Sequence, residues 1–323
     1  MLNKIRSKYV LKKVSLFLNE RKYLMLFKYN KKLQKKLELS KKDYKVYNQI
    51  EIDIIPTLLE KENKNTIANY FFDEKAYYYL YIDDKELKKR NYFKKKDNVK
   101  KIKIKIDMEI KSLKRLFHGC KYIQEINFVK FNRNNITDMS YMFCDCTNLI
   151  KINLSKIKTS NVVRMNFMFT NCNRLLQLDV SNCDTSNVET MENMFSGCSI
   201  LQELDLSNFN TSKVTNMSSM FYSCCQMYNL NISSFNTSKV NEMNYMFCNC
   251  GTMTSLDVSN FNTSHVYTMI HMFSYCYGLI DLDISNFYID NNTYAKNMFS
   301  NCSQELKDKI KMQNNKLKKE AFR

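Results

Sequence analysis

The stretch VTNMSSMFYSC, residues 214–224, crowds thioether, thiol and aromatic side chains into one short segment. Such groups ligate soft metals, carry redox chemistry or line membrane-facing surfaces. Two Cys-x-Cys pairs, Cys144/Cys146 and Cys248/Cys250, come closer to ligand spacing. The histidines are three, His118, His265 and His271, and none recurs in the Ser/His/Asp or Cys/His arrangement that nucleophilic catalysis needs. Four glycines, all in short connectors, form no phosphate-cradling loop.

Stepping along the chain from Phe221 shows why these groups are crowded. The phenylalanine recurs every 26 residues, as Phe117, Phe143, Phe169, Phe195, Phe247, Phe273 and Phe299. Cys224 recurs on the same step from Cys120 to Cys302, as does Met220 from Met142 to Met298. Eight of the twelve cysteines therefore occupy one position of one repeat. Equivalent positions in stacked units lie ~4.8 Å apart with parallel Cβ vectors, which suits neither a tetrahedral metal nor a disulfide. The two Cys-x-Cys pairs, four units apart, cannot share an ion. The thiols read as a buried column, and neither a catalytic residue nor a metal or cofactor site is expected.

Within a unit Val214, Met217, Met220, Phe221 and Cys224 lie at i, i+3, i+6, i+7 and i+10, which predicts a short helix, with Thr211 or Ser212 as its N-cap. Beyond the cysteine the period falls to two, and Leu204-Asp205-Leu206 reads as a strand. A strand-plus-helix unit of this length cannot bury its own apolar face, so units must stack. The expected fold is an α/β solenoid of about eight 26-residue units, a parallel strand ladder with short helices on the convex side, plus an N-terminal helical region.

The column pattern L-x-x-L-D-L-S-N-F-N-T-S-x-V-x-x-M-x-x-M-F-x-x-C resembles the repeat of BspA-like leucine-rich repeat proteins over about residues 110–303. That resemblance implies a leucine-rich-repeat solenoid used in protein binding or adhesion, and a cell-surface location. The expected organisation is a basic helical region at 1–40, a small mixed α/β linker subdomain at 41–99, the solenoid at 100–303 and a C-terminal capping helix at 304–323.

The outward positions of the strands offer the better candidate site, because solenoids present partners with a concave strand face. One column contains Asn127, Asn153, Asp179, Asp205, Asn231, Asp257 and Asp283. The column two residues earlier contains Glu125, Glu203 and Asp281. Together they predict a polar strip, increasingly acidic toward the C-terminus, that binds a protein partner and repels nucleic acid. The Ser and Asn columns that follow each strand, such as Ser207 and Asn208, are expected to satisfy turn backbone groups.

Charge divides the chain. Residues 1–115 contain 32 Lys/Arg against 15 Asp/Glu, and residues 116–303 contain 11 against 14. Residues 3–37 read as two apolar-striped helices broken near Asn19-Glu20, and they weakly resemble an F-box. The resemblance implies a ubiquitin-ligase substrate adaptor whose Val14, Phe17 and Leu18 face the adaptor partner; otherwise the segment is a helical cap. The charged N-terminus has no signal-peptide pattern and no window reaches a transmembrane length, so a cytoplasmic protein is expected, with surface adhesin as the alternative.

Overall fold

The computed structural model describes residues 49–57, 65–66, 78–87, 92–106 and 110–323, together with Lys31 and Lys35, which are helical and exposed. Strict apolar alternation builds the first sheet. Ile50, Ile52 and Ile54 of β1 (Ile50–Pro56) and Ile102, Ile104 and Ile106 of β6 (Ile102–Ile106) are all buried. The polar residues between them point to the other side, as a period of two requires. β1 pairs antiparallel with β6 on one side and with β7 (Ile123–Phe131) on the other. β3 (Tyr78–Ile82) and β4 (Lys85–Leu87) extend this sheet beyond β6, and β8 (Lys151–Asn153) joins β7 in parallel. The sheet thus has six strands in the order β4-β3-β6-β1-β7-β8 and ties β1, β3, β4 and β6 to the first repeat units.

The remaining sheets are small. β2 (Asn65–Thr66) pairs antiparallel with β5 (Tyr92–Phe93). β9 (Glu203–Asp205) with β10 (Asn229–Asn231), and β11 (Ser255–Leu256) with β12 (Asp281–Leu282), form two parallel pairs.

The helix-bearing α/β leucine-rich-repeat solenoid expected from the sequence is not what these residues form. The one α-helix bounded among the described residues is α1 (Gln304–Gln313), at the C-terminal end, beside short 3₁₀ turns at Lys95–Asp97 and Lys319–Phe322. The rest is small mixed sheets and turns. The physical reason is visible at residues 217–224. The backbone N–H groups of Met217, Ser219, Phe221 and Ser223 donate to carbonyls of the next unit, those of Glu242, Asn244, Met246 and Cys248, at 2.7–3.0 Å. The N–H groups of Met220, Tyr222 and Cys224 donate three residues back, to Met217, Ser219 and Phe221. Donors alternate between the neighbouring unit and a tight local turn, so no i→i−4 ladder can form.

This alternation needs left-handed backbone twice per unit. Ser219 and Ser223 have φ of 55° and 57°, and the same two positions are left-handed in every unit, from Arg115 and Gly119 to Asn297 and Asn301. A helix accepts neither. Nor do Thr211 and Ser212 cap a helix. The Val214 N–H donates to the Thr211 backbone carbonyl, and the Thr211 hydroxyl donates across to Asn236 O at 2.9 Å.

The repeat columns are buried in register. Phe117 to Phe299 form a continuous column of near-parallel rings, neighbouring centroids 5.3–5.8 Å apart. Parallel bridges join Ser112, Asp138, Arg164, Thr190, Asn216, Glu242, Thr268 and Tyr294, each to the next.

The chain covers the exposed end of this array itself. Leu306 and Ile310 of α1 are buried, and the Ser303 hydroxyl caps the helix by accepting from the Leu306 N–H at 3.2 Å. The capping helix stops at Gln313, short of the expected 304–323, and the chain ends in a 3₁₀ turn, Lys319–Phe322, that supplies carbonyl acceptors and a ring to the last unit. Asn297 and Phe299 donate to the carbonyls of Glu320 and Ala321, both at 2.8 Å, and Phe322 stacks on Phe299 at 5.8 Å. Gln313 does the same beside β12: its amide accepts from the Ile284 N–H and donates to Leu282 O, both at 3.1 Å. No described helix is long and apolar enough to cross a membrane.

Candidate functional site

The cysteine column has an internal use. Each thiol from Cys146 to Cys302 donates to the carbonyl oxygen of a phenylalanine in the preceding unit, as Cys224 does to Phe195 O at 3.2 Å and Cys250 to Phe221 O at 3.2 Å. All twelve cysteines are free thiols. Burial pushes the Cys198 thiol up to about 12 and raises the others of the column as well, so they are protonated and poorly nucleophilic. Within the Cys-x-Cys pairs, Cys146 and Cys250 belong to this column and are occupied by it. Cys144 and Cys248 are also buried but stand outside it.

Strand pairing sets the outward strand residues side by side. Pairing in register sets Glu125 beside Lys151 and Asn127 beside Asn153. It sets Glu203 and Asp205 beside Asn229 and Asn231, and Asp281 beside Ser255. Asn127, Asn153, Asp179, Glu203, Asp205, Asn231, Asp257, Asp281 and Asp283 are exposed, and Glu125 is half-buried. Val14, Phe17 and Leu18, the residues suggested for an N-terminal partner, lie outside the described residues.

Sequence reasoning missed that most of this strip also holds the turn after each strand. One side-chain oxygen of Asn153, Asp179, Asp205, Asn231, Asp257 and Asp283 accepts from the N–H of the serine two residues on, at 2.8–3.2 Å. Asn and Asp interchange in the column because either offers that oxygen. The aspartates differ only in adding charge. The asparagines after the serines work as expected: Asn208 Nδ2 reaches the carbonyls of Val180, Ser181 and Cys183, all at 3.1 Å, and Asn260 and Asn286 repeat the pattern.

Hydrogen bonds from the serines hold these carboxyls below the ordinary carboxylate range. The hydroxyl and N–H of Ser181 act on Asp179, those of Ser259 on Asp257, and the N–H and hydroxyl of Ser207 and Ser285 on Asp205 and Asp283. A carboxyl lowered on folding contributes stability above its unfolded value of ~3.9, and that contribution is lost as pH falls through the lower folded value. The urea midpoint should therefore be level from about pH 7 to 5 and decline below about pH 4. Asparagine at 179, 205, 257 and 283, which keeps the acceptor oxygen, should flatten the decline; an equally steep decline in that variant would locate its source elsewhere.

Three grooves follow the strip. A groove of about 600 Å³ runs over Gln177, Asp179, Gln202, Glu203, Asp205 and Tyr228, with exposed Leu176 at its edge. The Tyr228 hydroxyl donates to Glu203 Oε1 at 2.8 Å, fixing an aromatic wall beside the carboxylates. A smaller groove of about 270 Å³ includes Asp257, Asp281 and Asp283. The third, about 470 Å³, lies at the opposite end and mixes Asp53 and Glu125 with Lys100, Lys101 and Lys151. The face therefore changes from mixed charge near β1 and β7 to purely acidic near β12.

Two overlapping matches, residues 111–224 and 195–313, fit a family described as a Mycoplasma protein of unknown function, DUF285. Together they cover well over half of the 323 residues. The chain belongs to the DUF285 family. The match begins just before Arg115, the first left-handed position of the repeat, and ends with α1, so the DUF285 region includes both the repeat units and the helix that covers them. No curated protein and no solved structure matches the chain. The DUF285 match lends the leucine-rich-repeat and F-box resemblances no further support.

Proposed function

We propose that this DUF285 chain is a non-enzymatic binding module whose outward strand face takes an extended basic segment of a partner protein. The observation that carries the reading is the groove lined by Asp179, Glu203 and Asp205. Three carboxyl side chains stand in one open channel that Leu176 and Tyr228 also line. Carboxylates recognise Lys and Arg side chains, and an aromatic wall adds favourable cation contact. The strips on neighbouring strands repeat laterally, so the surface suits a ligand that crosses several units rather than a compact small molecule.

The test uses defined peptides. Extended peptides with Lys or Arg at alternate positions, and matched acidic ones, are titrated against the full chain by fluorescence anisotropy. Basic peptides should bind, more weakly as salt rises, and acidic ones should not. An Asp179→Asn/Glu203→Gln/Asp205→Asn variant retains the turn acceptors, as Asn153 and Asn231 do naturally. It should bind at least about tenfold more weakly, which corresponds to ~1.4 kcal/mol. Equal binding by this variant, or no preference for basic peptides, would remove the proposal.

A further inference from the structure

His118, Cys144 and Asp145 lie on consecutive units, and their ligand-type atoms all fall within 4.8 Å of one another. Cys144 Sγ is 3.5 Å from Asp145 Oδ2, and His118 Nδ1 is 3.8 Å from the same oxygen. Ligands of a tetrahedral zinc ion, at bond lengths of 2.0–2.3 Å, are about 3.3–3.8 Å apart, so the cluster is already close to that spacing.

The repeat makes the coincidence informative. His118 and Cys144 occupy the same column, which elsewhere contains Thr170, Ser196, Tyr222, Cys248, Ser274 and Ser300. Asp145 is the one acidic residue in the next column, whose other members are Gly119, Asn171, Gly197, Ser223, Asn249, Tyr275 and Asn301. A histidine and an aspartate found once each in their columns meet a cysteine that its column repeats only at Cys248, so one of each common ligand type converges at a single point. Among the described residues no other group of three such side chains gathers this closely.

The surroundings fix the donors. Gly119 N–H donates to Cys144 O at 2.7 Å, which ties the unit of His118 to that of Cys144 and Asp145, and Asp145 N–H donates to Thr170 O at 2.8 Å, which ties the latter to the following unit. Asp145 is left-handed, φ 60°, a conformation that Asp tolerates better than most residues. Asn171 Nδ2 donates to Asp145 Oδ1 at 2.8 Å, leaving Oδ2 toward the thiol and the imidazole. This is the outer support by which a ligating carboxylate is oriented.

We propose that His118, Cys144 and Asp145 form a binding site for a zinc-type divalent cation, supplying three protein ligands and leaving the fourth position to solvent. Thiolate, imidazole and carboxylate together suit a borderline-soft ion and not Mg²⁺ or Ca²⁺. On binding, the Cys144 thiol forms a sulfur–metal bond and releases its proton to solvent. Without a cation the thiol keeps that proton, since burial and the neighbouring Asp145 carboxylate push the thiol up to about 12 while Arg115 acts in the opposite sense. A bound cation offsets this cost by stabilising the thiolate directly.

Cobalt(II) reports on the site, because a thiolate ligand gives a sulfur-to-cobalt charge-transfer absorption. The reduced full chain should take up one equivalent of Co²⁺ with this band, and Zn²⁺ should displace it. Cys144→Ser should abolish the band, and His118→Ala and Asp145→Asn should weaken Co²⁺ binding by at least about tenfold. Asn171→Ala should weaken it by about tenfold. Cys248→Ser is the control: that thiol occupies the same column but has Tyr222 and Asn249 where Cys144 has His118 and Asp145. It should leave the band unchanged. Absence of the band in the native chain, its survival in Cys144→Ser, or its equal loss in Cys248→Ser would overturn the assignment. Should Cys144→Ser not fold, Asp145→Asn decides, since asparagine occupies that column at Asn171 and Asn249; unchanged Co²⁺ affinity there also overturns it.

Discussion

Phe221→Ala should cost about 3–5 kcal/mol of unfolding free energy, measured from chemical denaturation midpoints. The ring is fully buried, with Phe195 stacked on one side at 5.8 Å and Phe247 on the other at 5.5 Å. Truncation removes the transfer energy of the ring, leaves a cavity that rigid stacked units cannot close, and deletes two aromatic contacts worth about 0.5–1.5 kcal/mol each. Against a typical total of about 5–15 kcal/mol this is a large fraction. Phe221→Leu should cost less, since it keeps most of the volume. Phe117→Ala should also cost less, because Phe117 stands at the end of the column with Phe143 as its stacked neighbour. A loss below about 2 kcal/mol for Phe221→Ala would mean that the ring column does not carry the stability assigned to it.

The column of rings was readable from the sequence because burial at a fixed step leaves a fixed residue type. The conformation between the rings was not. Apolar residues at i, i+3, i+6, i+7 and i+10 fit a helix, but they fit equally a run of three-residue turns whose alternate donors leave for the next unit. Hydrophobic spacing reports which side chains face inward and is silent on where the backbone hydrogen bonds go.

A second signal was present. The left-handed positions from Arg115 to Asn297 contain Arg, Tyr, Phe, Asn, Ser, Tyr, His and Asn, and those from Gly119 to Asn301 contain Gly, Asp, Asn, Gly, Ser, Asn, Tyr and Asn. No β-branched residue occurs in either, which is what a positive φ demands and a helix does not. Ser219 and Ser223, placed mid-pattern with Asn216 and Ser218 nearby, are also poor helix formers.

The candidate face was legible for the same reason as the core and obscured for another. Period-two alternation placed Asp205 and Asp257 outward correctly, but the alternation of Asp with Asn along the column looked like variable polarity. It reflects one constant task, accepting from the serine N–H, on which charge is superimposed in some units. The His118, Cys144 and Asp145 group was invisible because each residue was read within its own column, and the contact that matters runs between columns.

The NTS segments, which sequence reasoning assigned to helix caps, supply the second large effect. Thr237→Val should cost about 2–4 kcal/mol although it preserves side-chain volume almost perfectly. The Thr237 hydroxyl donates to Asn262 O at 2.9 Å and accepts from Asn262 N–H at 2.7 Å, satisfying both backbone groups of one residue in the next unit. Thr237 is fully buried. Valine cannot replace either bond, and a buried polar group left without a partner costs about 1–3 kcal/mol. The contacts are only part-buried, so some water reaches Asn262 and the sum is held below its upper bound. Thr237→Ser retains the hydroxyl and loses one methyl group, so it should cost about 1 kcal/mol. The comparison separates two explanations of the buried Thr185, Thr211, Thr237 and Thr263 column, which is held by Oγ bonds to the unit that follows. If the methyl groups packed the core and the hydroxyls were incidental, valine would be tolerated and serine would be the damaging substitution. If the hydroxyls join one unit to the next, the order reverses, and a thermal unfolding series on these two variants would show which holds.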